Sequence, residues 1–376
     1  MSMFDVYPLF DITPVRAEDV YVYDENDTQY LDLYGGHAVI SIGHSHPDYV
    51  KNISDQVAKL GFYSNSIQNP LQNELATQIT AFSGCEDYKL FLCNSGAEAN
   101  ENALKLASFQ TGKRKLLAFK NGFHGRTSAA VAATDNKKIV APINAQQFVD
   151  FIEFGDLRSV EVILSHGETC AVIVEVLQGI GGLDECATEF YKGLEMLCNQ
   201  NNTLLIADEI QSGFGRTGDF FAFQKHGITP DIISMAKGMG NGFPVGGILI
   251  HPDIEATYGM LGTTFGGNHL ACTAALTVLE ILEKQDLLPH AKKMSDYFAL
   301  KAQEIPQIKT IKGRGLMLGL EFDFPIVELR KILIHEHQIF TGSSKNPNLL
   351  RILPPLTIQK EHLDVFFEAL KSELLV

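Results

Sequence analysis

A lysine and an aspartate in this chain occupy places where a charge is costly unless it does chemistry. Lys237 ends the apolar run Asp231-Ile-Ile-Ser-Met-Ala-Lys237 and enters the bend Gly238-Met-Gly-Asn-Gly-Phe-Pro244. Burial there would lower the ammonium pKa and leave a neutral amine, the form that attacks a carbonyl. Asp208 ends another apolar run, Leu204-Leu-Ile-Ala-Asp208. A carboxylate so placed needs a cation or an N–H donor, and the protonated ring nitrogen of a bound heterocycle is one such partner. The ordinary reading is a surface lysine at a turn and a water-facing carboxylate or helix cap. The apolar runs that lead to both residues weigh against it.

Two further segments supply what those residues lack. In Asn94-Ser-Gly-Ala-Glu-Ala-Asn100 an apolar run, Lys89 to Cys93, meets small residues and then the helix-forming Glu101-Asn-Ala-Leu-Lys-Leu-Ala107. Free N–H groups, the helix dipole and the Ser95 hydroxyl make such a junction an anion site, although Asn and Ser also cap helices that bind nothing. In Asn121-Gly-Phe-His-Gly-Arg-Thr127 two glycines let the backbone turn and present Phe123 and Arg126 outward. An aromatic ring at a strand end can stack on a flat cofactor, or simply join the core.

Other patterns carry less. Gly213-Phe-Gly-Arg-Thr-Gly218 matches a dinucleotide fingerprint, but no helix starts at its third glycine and no acidic strand end follows. His44 and His46 lie in Gly-His-Ser-His-Pro47, a turn with no third ligand nearby, so no metal site is expected. No Walker motif, nucleophile elbow or HExxH occurs.

The elements that must position these residues are legible. Lys113–Phe119, Ala171–Glu175, Leu204–Asp208, Asp231–Lys237 and Val245–Ile250 are continuous apolar strands alternating with helices such as 189–199. That alternation predicts an α/β fold with a mainly parallel sheet covered on both faces. Residues 19–33 read as a hairpin turning near Asn26-Asp27. The C-terminal part reads as a helix at 288–303, a strand at 315–321, a helix at 326–337, a strand at 349–353 and a helix from Lys360. We expect residues 51–285 to form the large domain, with 1–50 and 286–376 combining into a smaller α+β lobe. The formal net charge of −15 excludes a generic nucleic-acid binder but not small anionic substrates. With no long apolar run, no basic leader and six cysteines in no CxxC pairing, a cytoplasmic protein with reduced thiols and no membrane span is expected.

A phosphate turn, a stacking ring, a strand-end aspartate and a strand-end lysine on one sheet suit a single ligand, pyridoxal 5'-phosphate. At these motifs, and over essentially the whole chain to Leu350-Arg-Ile-Leu-Pro-Pro, the sequence resembles the class III, ornithine-type aminotransferases of fold type I. Its closest likeness is to their acylornithine branch, through Phe123-His-Gly-Arg126 and the compact length. The resemblance implies that Lys237 holds the cofactor and moves the substrate proton, and that Asp208 pairs with the ring nitrogen. It implies that Gln211 bonds the ring oxygen, Phe123 stacks on the ring, and Ser95, Gly96 and Ala97 bind the phosphate. Thr264 would reach the phosphate of the other subunit in a homodimer, with Thr263 near the substrate. Arg126 would take the substrate α-carboxylate and Arg351 that of 2-oxoglutarate or glutamate.

The implied reaction moves the δ-amino group of an N²-acylornithine, acetyl or succinyl, to 2-oxoglutarate in arginine biosynthesis. Acylation keeps the semialdehyde product from cyclising. One position departs from the family: Glu175-Val-Leu-Gln-Gly-Ile180-Gly-Gly has isoleucine where the family carries a glutamate that shields the Arg351 position. Its loss leaves the site more positive by one charge and raises the standing of a more anionic donor, N-succinylornithine. An ornithine or other ω-amino-acid aminotransferase, a glutamate-1-semialdehyde aminomutase, a dinucleotide dehydrogenase and a non-catalytic homologue remain open at this level.

Overall fold

The computed structural model describes residues 4–145 and 148–374. Its strands, in chain order, are β1 (Pro14–Glu18), β2 (Tyr21–Asp24), β3 (Gln29–Asp32), β4 (Lys89–Cys93), β5 (Lys115–Phe119), β6 (Val149–Ile152) and β7 (Thr169–Val174). There follow β8 (Leu204–Asp208), β9 (Ile232–Met235), β10 (Gly246–Ile250), β11 (Thr310–Arg314), β12 (Met317–Glu321), β13 (Ile339–Phe340) and β14 (Leu349–Ile352).

The apolar strands meet in one seven-stranded sheet, ordered β4-β10-β9-β8-β7-β5-β6. All six residues of β7 are buried, as expected for a strand covered on both faces. Only β10 runs antiparallel, to both β4 and β9; the remaining pairs are parallel. The sheet is therefore mainly parallel, and the α/β class read from the alternation is the one found. The helix Gly96–Thr111 starts directly after β4, with Ser95 Oγ accepting from Glu98 N at 3.2 Å, and ends at Gly112 in the left-handed region, φ 70°. Its buried face carries Ala99, Asn100, Ala103, Leu104, Leu106 and Ala107 against the sheet.

The terminal segments interlock. β13, from the C-terminal part, pairs parallel with β3 and completes the sheet β1-β2-β3-β13; β11-β12-β14 form a third sheet. The expected hairpin turns where Asp24 Oδ1 accepts from Asn26 N and Thr28 N, both at 2.9 Å. β1 and β13 were not foreseen, because short strands with mixed burial show little period-two pattern. The single strand expected at 315–321 is the second half of a tight hairpin, β11–β12.

The dinucleotide-like glycine run has a structural use. Arg216 is buried and donates to Leu316 O, Pro354 O and Ile40 O, so one guanidinium ties the central sheet to both terminal segments. Burial lowers its pKa to about 9. His44 Nε2 is spent on Asp32 Oδ2 at 2.8 Å, and His46 Nδ1 accepts from Asp48 N in capping the helix Pro47–Lys59. Among the described residues no helix is long and apolar enough to cross a membrane.

Candidate active site

The carboxyl ends of β4, β5, β7, β8 and β9 open onto one cavity of about 400 Å³, the size of a small-ligand site. β4 stands at one edge of the sheet while its sequence neighbour β5 lies beyond β7, so the chain crosses the sheet here and leaves the crevice where open α/β folds take ligands. Ser95, Gly96, Phe123, Asp208, Gln211 and Lys237 all line it. The segments that follow β4, β5, β7, β8 and β9 thus converge on one volume.

Lys237 leaves β9 with φ +48°, a strained value for a residue with a Cβ. The bend that follows is clamped by the N-terminal segment. Ser41 Oγ donates to Gly238 O at 2.8 Å, Asn241 Oδ1 accepts from Ser41 N at 2.8 Å and Ile42 N at 3.1 Å, and Tyr49 OH donates to Gly240 O. Burial lowers the Lys237 pKa, Asp208 and Glu175 oppose the shift, and Arg351 adds to it.

Asp208 is held by three donors. Oδ2 accepts from His124 Nδ1 at 2.7 Å and Asn100 Nδ2 at 2.8 Å, while Oδ1 accepts from Ile210 N at 3.1 Å. Oδ1 keeps acceptor capacity on the cavity side. Burial alone would push the His124 pKa down; its hydrogen bond and the charge of Asp208 outweigh that and raise it. Glu175, at the end of β7, accepts from Phe123 N at 2.9 Å and Gly179 N at 2.8 Å, which fixes both the aromatic loop and the Gln178–Ile180 turn. Burial raises the Glu175 pKa, with His124 opposing and Asp208 reinforcing the shift.

At the helix start, the N–H groups of Gly96 and Ala97 precede any intrahelical acceptor. Gly96 is required there, since a Cβ would stand 2.7 Å from Ile210 Cγ2. Arg126 is exposed at the rim of the cavity. Thr263 Oγ1 accepts from Gly266 N at 3.0 Å and lies 3.4 Å from Asn94 Nδ2, beside the mouth. Thr264 is exposed and does not line the cavity of its own subunit.

Arg351, on β14, is 2% exposed and stands behind the cavity wall. Its Nε donates to Ser343 O at 2.6 Å, and one terminal nitrogen donates to Gly179 O at 3.2 Å and Gln211 Oε1 at 3.3 Å. Gln211 in turn donates from Nε2 to His37 O at 3.3 Å. Ile180 lines the cavity beside this guanidinium and offers it no charge. Of the residues singled out from sequence, all but Thr264 lie in or against this one site. His124 and Asn100 were missed as partners of Asp208, since nothing in their spacing distinguishes them from loop and helix residues. Glu175 was missed although it ends an apolar run as Asp208 does, a signal that could have found it.

The residues fit a flat, phosphate-bearing heterocycle: free N–H groups at one end, an aromatic side wall at Phe123, an acceptor at Asp208 Oδ1 and an amine at Lys237. Comparison with known sequences agrees. The aminotransferase class-III profile matches residues 5–374.

The chain is a class-III aminotransferase.

This aminotransferase is 38% identical to acetylornithine aminotransferase of Bacillus subtilis (strain 168) over 381 residues, covering 99% of this chain and 97% of that protein. It is 39% identical to acetylornithine aminotransferase of Archaeoglobus fulgidus over 352 residues, covering 93% and 92%. Among solved structures it resembles ornithine aminotransferase from Toxoplasma gondii ME49, with TM-score 0.90, 26% identity and coverage of 98% and 91%. Acetylornithine aminotransferase from Elizabethkingia anophelis matches with TM-score 0.84, 28% identity and coverage of 98% and 95%. The aminotransferase is thus a fold type I enzyme that uses pyridoxal phosphate, the cofactor named for one solved structure 27% identical to it.

Proposed function

We propose that this aminotransferase moves the δ-amino group of an N²-acylornithine to 2-oxoglutarate, giving the acylglutamate semialdehyde and glutamate in arginine biosynthesis, with N-succinylornithine as the preferred donor. The observation that carries the reading is Arg351. It is buried against the cavity wall with only neutral acceptors, beside Ile180 rather than a carboxylate. A buried cation left in that condition favours a substrate that brings its own negative charge. The relatives named acetylornithine aminotransferase support the acylornithine class.

When bound, pyridoxal phosphate supplies a carbonyl carbon for the amino group and an electron-withdrawing ring. Lys237 would hold it and, with its amine kept neutral by burial, take and return the proton of the substrate's reacting carbon. Asp208, fixed by His124 and Asn100, would keep the ring nitrogen protonated. Phe123 would stack on the ring, Gln211 would bond its oxygen, and Ser95, Gly96 and Ala97 would receive the phosphate. Arg126 would grip the α-carboxylate at the rim, with Thr263 near the substrate.

Thr264 would serve the other subunit of a homodimer. Beside it the Phe265 and Phe62 rings pack at a tilt, ring centroids 5.4 Å apart, and both are exposed, as are Tyr63 and Tyr258. Asn65 Nδ2 bonds Thr263 O and Gly266 O, joining the two loops into one apolar face that a second copy would cover. We also read 1–50 with 286–376 as one lobe, 51–285 as the other, and the cytoplasm as the compartment. The decisive assay compares kcat/KM for N-succinylornithine and N-acetylornithine with 2-oxoglutarate as acceptor. A tenfold preference for the acetyl donor would contradict the reading.

A further inference from the structure

Behind the Gln211–Ile180 wall lies a second arginine that the chemistry above does not use. Arg330, on the helix Val327–His335, is half-buried, and its Nε donates to Thr341 O at 2.9 Å. Arg351 Nε donates to Ser343 O, two residues further along. Gly342 between them bonds the backbone of Arg351 through both its N–H and its carbonyl, at 2.9 and 3.0 Å. Alternate carbonyls of an extended segment point the same way and lie about 7 Å apart. The two guanidiniums therefore hang side by side from one short stretch of backbone.

This stretch is tied to the cavity. Lys345 N donates to Ile180 O at 2.9 Å, and Gly179 O accepts from Arg351. Tyr34 closes the other side so tightly that a Cβ on Gly342 would stand 2.8 Å from its ring. Among the described residues the partners of the two arginines are carbonyls, the Gln211 amide and the Phe10 ring, 5.3 Å from Arg330; none is a carboxylate. The hydroxyl of Thr341, a residue 1% exposed, has no partner either. Burial lowers the pKa of both arginines; Tyr34 opposes the shift in each, and for Arg351 Glu175 also opposes it while Arg330 adds to it. Two adjacent cations with no carboxylate hydrogen-bonded to either form a standing demand for an anion.

We propose that Arg330 and Arg351 form one anion subsite that takes the second carboxylate of a dicarboxylic acyl donor, and that Arg330 sets the acyl preference. The inference rests on the acylornithine reading and deepens it. The donor's α-carboxylate stays with Arg126 at the rim, and its acyl carboxylate displaces the Gln211 amide from Arg351. Both substrates, donor and 2-oxoglutarate, then present two carboxylates to the same arginines, so no internal carboxylate is needed to neutralise Arg351 between half-reactions. A monocarboxylic acyl group such as acetyl leaves the pair unanswered.

The test uses the full-length holoenzyme, wild type against Arg330→Gln and Arg330→Lys, with N-succinylornithine, N-acetylornithine and 2-oxoglutarate. Arg330→Gln lowers kcat/KM for the succinyl donor tenfold or more, mainly through KM. It leaves the acetyl donor within about twofold, and Arg330→Lys recovers part of the loss. An equal fall for both donors, or no change in either, overturns the subsite while leaving the acylornithine function standing. A wild-type enzyme that exchanges glutamate with 2-oxoglutarate yet accepts neither acyl donor overturns the function and the subsite together. The melting temperature of each variant separates a local effect from misfolding.

Discussion

His124 donates from Nδ1 to Asp208 Oδ2 across 2.7 Å, both side chains almost fully buried. The pair stabilises each member's charge in a place where either alone would be costly. It also shares its acceptor oxygen with Asn100 Nδ2, so the plane of the carboxylate is fixed from two directions.

Replacing His124 by Phe removes that donor and leaves Asp208 short of a partner. We expect a stability loss of about 1–3 kcal/mol, the usual cost of an unsatisfied buried group, measured by urea unfolding. Cofactor affinity should fall as well, and His124→Gln should restore part of it. An unchanged dissociation constant for pyridoxal phosphate would separate His124 from the site.

Ile180→Glu places a carboxylate beside Arg351. The variant should lose at least tenfold in kcat/KM for N-succinylornithine relative to N-acetylornithine, about 1.4 kcal/mol in relative transition-state binding. Steady-state assays with both donors read the ratio directly.

Arg216 answers three carbonyls from two terminal segments. Arg216→Met should therefore cost about 3 kcal/mol or more, since each abandoned carbonyl carries its own desolvation penalty. Thermal unfolding measures it. The effect on kcat should be indirect, because Arg216 touches no cavity residue but ties down Ile40, next to the Ser41 clamp on the Lys237 bend.

Glu185 gives an acid-stability window. Burial pushes its carboxyl up, but His226, Arg314 and Lys225 outweigh that and lower it from 4.5 to about 2. A carboxyl depressed in the folded state stabilises fully above its unfolded pKa and loses that contribution as pH falls through the folded one. Stability should thus decline between pH 4.5 and about 2 on this account, and Glu185→Gln should flatten that part of the curve. Denaturant midpoints across the acid range test it.

Phe265→Arg should weaken self-association by burying a charge in the apolar face formed with Phe62. Sedimentation should show monomer. Cofactor affinity should fall with it, because Thr264 would no longer reach a partner.

The central sheet and its ligand end were legible because buried strands in an α/β sheet are continuous apolar runs, and because Lys237 and Asp208 break those runs at the same end. The glycines flanking Phe123 and the small residues at Ser95–Ala97 were legible for a related reason: tight backbone geometry restricts residue type. Arg330 was not legible, since one arginine on an amphipathic helix is indistinguishable from a solvated charge until Thr341 is seen beside it. β13 was invisible because two residues carry no period, and its pairing with β3 joins positions far apart in the chain. The glycine-rich run around Arg216 was rightly set aside as a dinucleotide loop, but its packing role was not legible, because the three carbonyls that Arg216 answers come from segments far away in the chain.

The most direct test of the central claim, that Lys237 is the reactive amine of an acylornithine aminotransferase, is the absorbance spectrum of the purified protein during titration with N-succinylornithine and then 2-oxoglutarate. The account predicts a visible cofactor band that the donor bleaches and 2-oxoglutarate restores, and that is missing from a folded Lys237→Ala variant. A protein that shows no such band after addition of pyridoxal phosphate, or a band that Lys237→Ala retains, contradicts it.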